Sequence, residues 1–495
     1  MFNTKLKNII NFLKNNLLFV TILSLAILVR LNNLDYPLLS DEPNRDYLIS
    51  RHIVKYHEFV KFGPNNGTLS NFGNSPVYNY LLALPLLIYD SLMFLTVINF
   101  LLQITSILLI YLIVKETINK TVAAVTTTFL SFGSIFLLQS VQIWQPYEMF
   151  FFLVLSTYLM FLGYTKKNKY YFIASNITFA LSISIHMSAF ALAPAFLTTN
   201  FLLIKKIKHK NSFVLSTFLV FVASLSVFYF PLIMNWTPSS LSVISLREYI
   251  LNFIDYSRIL LTTLNLNLVF GVLILVISLF TKQKYLIFVI ISFLFCSSFI
   301  DSDLLPQHFY TVLPFVVILI SQLIDKLPFK IFTTLIFVFI IYQGAPPIKP
   351  TLISLDRLKS QKLIVNNIEK EVFKIKQKNN LDNLNFFKFY FSDSPSVNFF
   401  TNNPKTVDAF ILSDLEKNLD HKFTQVLDTQ KESEYRSLNS DYYIFLVCRF
   451  YETEDQEQEI CIKDFLRKEQ SYKIESKLMS NEYSHSVYLA KKTKE

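Results

Sequence analysis

Cysteine is nearly absent from this chain. Three in 495 residues (Cys296, Cys448 and Cys461) exclude a disulfide-stapled scaffold and a zinc-finger array. There is no internal repeat and no inverted symmetry between halves, which weighs against a secondary transporter. The first apolar run is followed by no small-residue cleavage site, so no cleavable signal peptide is expected. A folded basic face with interleaved aromatics is also missing, so the net charge of +10 does not point to nucleic acid. The lysines lie instead in short clusters between apolar runs, as cytoplasmic loops do.

What the chain does have is hydrophobic length. Hydrophobic residues make up 52% of it and its mean hydropathy is positive, as expected of a polytopic membrane protein. Apolar runs long enough to span a bilayer lie near 16–32, 92–114, 121–141, 149–164, 171–188, 189–204, 213–233, 263–281, 285–300, 309–325 and 329–345. With the N-terminus in the cytoplasm, these about eleven spans place every basic cluster, from Lys5/Lys7/Lys14 to Lys326/Lys330, on the cytoplasmic side. Counting 77–89 as a further span would reverse all later clusters, and that run is too short. It reads as an interfacial or re-entrant segment within one outside loop, 33–91.

The expected architecture is therefore an α-helical polytopic membrane protein over 1–345, with an extracytoplasmic α/β domain over 346–495. Strand-like stretches occur in that tail at Phe386–Phe391, Tyr442–Phe450 and Ser484–Ala490. Cys448 and Cys461 fall on an oxidising side, where they either pair or stay free. Cys296 reads as a buried apolar residue.

Just past the first span stand Asp41 and Glu42. A carboxylate pair at the membrane surface is costly to desolvate and so suggests function. A helix is expected over about 43–61, with Ile49, Ile53, Tyr56 and Val60 on one face. Arg45 and His52 share that face, while Ser50, Arg51, Lys55, His57 and Glu58 take the wet one. Arg45 and His52 beside two carboxylates fit the lining of a polar cavity.

Several stretches carry a family resemblance. A span ending Leu28-Val29-Arg30-Leu31 is followed about ten residues later by Asp41-Glu42, then by Asn44-Arg45-Asp46. Phe62-Gly63-Pro64 precedes Asn74-Ser75-Pro76-Val77-Tyr78-Asn79-Tyr80-Leu81-Leu82. Ile143-Trp144-Gln145-Pro146 and Gln307-His308-Phe309-Tyr310-Thr311-Val312-Leu313-Pro314-Phe315 complete the set. Together they resemble the GT-C superfamily of membrane glycosyltransferases, in particular a family-39-like bacterial branch related to protein O-mannosyltransferases and lipid A aminoarabinose transferases. Three positions depart from the pattern. Gln145 and Tyr147 stand where relatives have asparagines, and His308 where many have Arg.

The resemblance implies a sugar carried on a polyprenyl phosphate and an inverting single displacement onto an acceptor hydroxyl of a protein, lipid or glycan. Asp41 is the expected general base, with Glu42 holding the acceptor or exchanging roles with it. The lipid phosphate leaves as a stable anion and needs donors aimed at its oxygens. Arg45, His52 and His308 are candidates for that role, with Arg247 and Arg258 as further ones. Trp144, Gln145, Glu148 and Tyr78 complete the substrate-binding set. No metal or other cofactor is expected, although Asp41/Glu42 with Glu148, or Asp301/Asp303, offer oxygens to a divalent cation. The competing readings are a flippase or transporter of lipid-linked envelope glycans, and a polymerase or ligase of them. A flippase would carry charges near mid-membrane, whereas here they cluster at the outside ends of spans.

Overall fold

The computed structural model describes residues 16–31, 46–47, 49–51, 53–54, 57, 75–133, 136–137, 140, 143–207, 211–233, 246–263, 284–298 and 306–326 of the helical part. In the C-terminal part it describes 370, 374, 387–392, 443–449, 462–463, 466–467, 472–480 and 485–492. The chain divides into two compact units, Met1–Pro37 with Ser50–Pro347, and Leu38–Ile49 with Ile348–Glu495.

The first unit is helical. Its helices are α1 (Leu17–Leu31), α2 (Val77–Leu86), α3 (Leu92–Thr117), α4 (Lys120–Phe132), α5 (Gln145–Thr165), α6 (Lys169–Ile185), α7 (Ala193–Lys206), α8 (Asn211–Ile233), α9 (Leu246–Thr263), α10 (Lys284–Ser297) and α11 (Leu313–Asp325). Short 3-10 turns at Met187–Leu192 and Pro306–Thr311 lead into α7 and α11. Among the described residues, four helical stretches are long and apolar enough to cross a membrane: Met93–Thr117, Gln145–Thr165, Met187–Lys206 and Ser212–Phe230. The expected spans at 263–281 and 329–345 lie outside the described residues.

Helix limits follow local chemistry. α5 starts four residues before the expected span, because Pro146 fits the first turn of a helix and Trp144 holds the extended N-cap conformation. The expected single run 121–141 is broken. α4 stops at Gly133, whose extended ψ of 125° ends the ladder. Asn119 caps its other end by accepting from the Val122 amide at 2.8 Å. The Asn119 amide also donates to Asp325 at 3.0 Å, tying α4 to the end of α11.

Packing proceeds from neighbour to neighbour: α3 on α4 and α5, α5 on α6, α6 on α8, and α4 on α1 and α11. α5 and α6 approach closely. Ser175 donates to the Ser156 carbonyl across them at 2.7 Å. At Gly163 a Cβ would stand 2.8 Å from the fully buried Phe172 ring. Gly163→Ala is therefore expected to destabilise the chain by ~1–3 kcal/mol through overpacking, read as a lower melting temperature in detergent.

α1 turns Phe19, Ala26 and Arg30 inward. Phe19 stacks on Tyr111 of α3 with ring centroids 3.8 Å apart, and the Tyr111 hydroxyl donates to Asn16 at 2.8 Å. Arg30 is buried where α4 ends. Its Nη1 donates to the carbonyls of Ser131 (2.6 Å) and Ala26 (3.2 Å). Its Nη2 donates to those of Leu130 (3.0 Å) and Phe136 (3.4 Å). A cation thus meets the negative end of the α4 dipole and the carbonyls left over where the helix stops.

The second unit contains a four-stranded sheet in the order β1-β2-β4-β3, with β1 Phe387–Ser392, β2 Tyr443–Arg449, β3 Tyr472–Ser480 and β4 His485–Lys492. β1 and β2 are parallel, and the other two pairs antiparallel. Cys448 lies in β2 opposite Ser392 and Ser486; Cys461 lies outside the described residues. Cys296 in α10 is half-buried rather than buried.

Candidate functional site

The start of α5 gathers the polar side chains. Glu148, in its first helical turn, is buried at 6% exposure, where the helix dipole favours a carboxylate. The fully buried Tyr78 of α2 donates its hydroxyl to Glu148 Oε1 at 3.4 Å. Gln145 is buried beside them on the same turn, and Trp144 is half-exposed before it. The Trp144 ring meets the Tyr147 ring edge-on at 5.2 Å. Tyr147 in turn meets Tyr310 at 4.9 Å, with their hydroxyls 3.2 Å apart.

This corner is held from α3. Gln103 donates to the Tyr147 carbonyl at 2.7 Å and to Asn99 Oδ1 at 3.3 Å. With Thr96 and Ser106 these residues form a fully buried polar stripe at spacings of three, four and three along an apolar helix. The stripe was readable as a departure from apolarity on one helical face, but motif reading passed over it. His186 closes the far end of α6. Its Nδ1 lies 2.8 Å from Ser188 Oγ, and it caps the 3-10 turn that follows.

Of the residues singled out in the sequence, Tyr78, Trp144, Gln145 and Glu148 come together here. Asp41, Glu42, Arg45 and His52 lie outside the described residues, as does the side chain of His308, whose backbone belongs to the second 3-10 turn. Arg247 and Arg258 are exposed on α9. The expected wet face of the helix near residue 50 is corrected in part. Ser50 and Arg51 are buried, and Arg51 Nε donates to both Asp90 oxygens, at 2.9 and 3.2 Å. A carboxylate just before α3 supplies the partner that water was expected to provide. Chemically, the site offers a buried carboxylate, phenols, amides and one half-exposed indole, a set suited to hydroxyl-rich ligands.

Two crystal structures of ArnT from Cupriavidus metallidurans share this architecture. The apo form matches with a TM-score of 0.59 and 12% identity, over 95% of this chain and 97% of that one. The chain has the fold of ArnT. The form bound to undecaprenyl phosphate gives 0.55 at the same identity and coverage. The family described as dolichyl-phosphate-mannose-protein mannosyltransferase matches residues 73–236, a stretch that holds Tyr78, Trp144, Gln145 and Glu148. No curated protein matches the chain in sequence.

Proposed function

We propose that the chain transfers a sugar from a polyprenyl-phosphate donor to an acceptor hydroxyl on the extracytoplasmic face of the membrane. The observation that carries this reading is the ArnT-like fold over 95% of the chain, with a buried carboxylate at the start of α5. One such ArnT structure holds undecaprenyl phosphate. In this reading residues 1–345 form the catalytic domain with about eleven spans, the N-terminus is cytoplasmic, and residues 346–495 stand outside.

The acceptor oxygen attacks the anomeric carbon as the bond from that carbon to the phosphate oxygen breaks, which inverts the centre. The electron pair leaves with the polyprenyl phosphate, and the acceptor proton passes to Asp41. Glu42 holds the acceptor. Arg45, His52 and His308 donate to the phosphate oxygens, while Trp144, Gln145, Glu148 and Tyr78 face the substrate.

Purified full-length chain in nanodiscs, given a panel of undecaprenyl-phosphate monosaccharides and an envelope extract as acceptor, is expected to release undecaprenyl phosphate and form product of inverted anomeric configuration. Translocation of labelled donor across proteoliposomes, without transfer, would instead establish the flippase reading.

A further inference from the structure

Asn79 is 0% exposed, and among the described residues neither its amide oxygen nor its amide nitrogen has a hydrogen-bond partner. Leaving a buried polar group unpaired is destabilising, so this position works against the stability of an otherwise apolar helix. The helix is also pinned just before it. Four residues earlier, Ser75 donates to the Phe228 carbonyl of α8 at 2.6 Å. One residue earlier, Tyr78 donates to Glu148. α2 therefore cannot turn about its axis to find the amide a partner without breaking those bonds.

The two open atoms define the missing ligand. Nδ2 needs an acceptor and Oδ1 needs a donor. A phosphate dianion only accepts, and would leave Oδ1 unpaired. A hydroxyl does both. We propose that Asn79 is a binding residue for hydroxyls of the transferred sugar, so that Tyr78, Asn79 and Glu148 read the sugar while the lipid phosphate is held elsewhere. This rests on the functional reading above and adds to it a division of labour within the site. Because the amide is sealed from solvent, the hydroxyl reaches it only as those pinning bonds give way and the ten-residue α2 shifts, so sugar binding is of the induced-fit kind.

The test uses full-length chain in nanodiscs. Asn79→Leu is compared with wild type for binding of bare undecaprenyl phosphate and of undecaprenyl phosphate carrying mannose, glucose, galactose, N-acetylglucosamine or arabinose. The variant is expected to melt at or above the wild-type temperature, since an unpaired polar group has gone. It is expected to hold bare lipid phosphate within ~2-fold and to lose ~10-fold or more for the best-bound sugar-carrying donor, the size of a lost hydrogen-bonded pair.

An unchanged preference for sugar-carrying over bare lipid would make Asn79 a structural or water-holding residue and overturn the proposal. Equal weakening toward both lipids would also overturn it. Should Asn79→Leu fail to fold, Asn79→Ala removes the same two polar atoms without added bulk and is read in the same way. A wild type that shows no preference for any sugar-carrying lipid overturns this inference. Sugar transfer by the same preparation decides separately whether the functional reading stands.

Discussion

Asp41→Asn is expected to retain donor binding while transferring sugar at least ~100-fold more slowly, the scale of losing a general base. An acceptor hydroxyl, like water, holds its proton far above neutral pH. It becomes a competent nucleophile only if the proton departs as the new bond forms. Asn has nearly the shape of Asp and keeps an acceptor oxygen, but it cannot take up that proton. The leaving phosphate is already a stable anion, so no general acid is available to offset the loss. Single-turnover rates with saturating donor, compared with donor dissociation constants, separate the two effects. Equal rates for both proteins would remove Asp41 from the role and move attention to Glu42.

Arg30→Met is expected to cost most of the fold's stability. The guanidinium donates to the carbonyls of Leu130, Ser131 and Phe136 from a position 1% exposed. Methionine fills similar space and supplies no donor. The orphaned carbonyls at the broken end of α4 would each cost ~1–3 kcal/mol, and water is scarce at membrane depth to replace the lost bonds. A total of ~3–5 kcal/mol follows, comparable with breaking a buried ion pair, and should appear as aggregation on extraction or a sharply lower melting temperature. Arg30→Lys keeps the charge but loses the planar fork that reaches two carbonyls from each nitrogen, and should fall between the two. A methionine variant that melts within a few degrees of wild type would show the clamp to be dispensable.

Both predictions bear on how far the sequence alone reaches. Long apolar runs translate directly into helices. The run at 92–114 became α3, and the one at 213–233 became α8. Limits failed where a single residue overrides composition. Gly133 ended α4 inside a run that is apolar on both sides, and Pro146 started α5 early. In the tail, the stretches at 386–391, 442–450 and 484–490 coincide with β1, β2 and β4. β3 was passed over, although Tyr472, Ile474, Ser476 and Leu478 alternate with Lys473, Glu475 and Lys477. Its apolar face is weak and reads as a charged surface stretch.

Tyr78 and Glu148, 70 residues apart in the chain, both belong to the expected substrate-binding set, and they meet. Arg51 was assigned to water because helical periodicity carries no knowledge of a partner 39 positions away; Asp90 is that partner. Asn79 stood within a quoted motif, yet its unpaired state is a property of three-dimensional surroundings that no spacing reveals.

The outer face of α8 has a consequence for sequence comparison. Leu215, Phe218, Leu219, Val222, Val227 and Phe230 all point outward at 41–68% exposure, where only greasiness is demanded. Such positions are free to wander among Leu, Ile, Val and Phe without disturbing the interior, and α1 offers more of them at Leu17, Leu18, Leu25 and Leu28. Letters on such surfaces can change while the shape stays, in keeping with 12% identity alongside a TM-score of 0.59. A comparison of such sequences is better weighted toward sites with a fixed duty, such as Arg30 beneath the broken end of α4, than toward overall resemblance of letters.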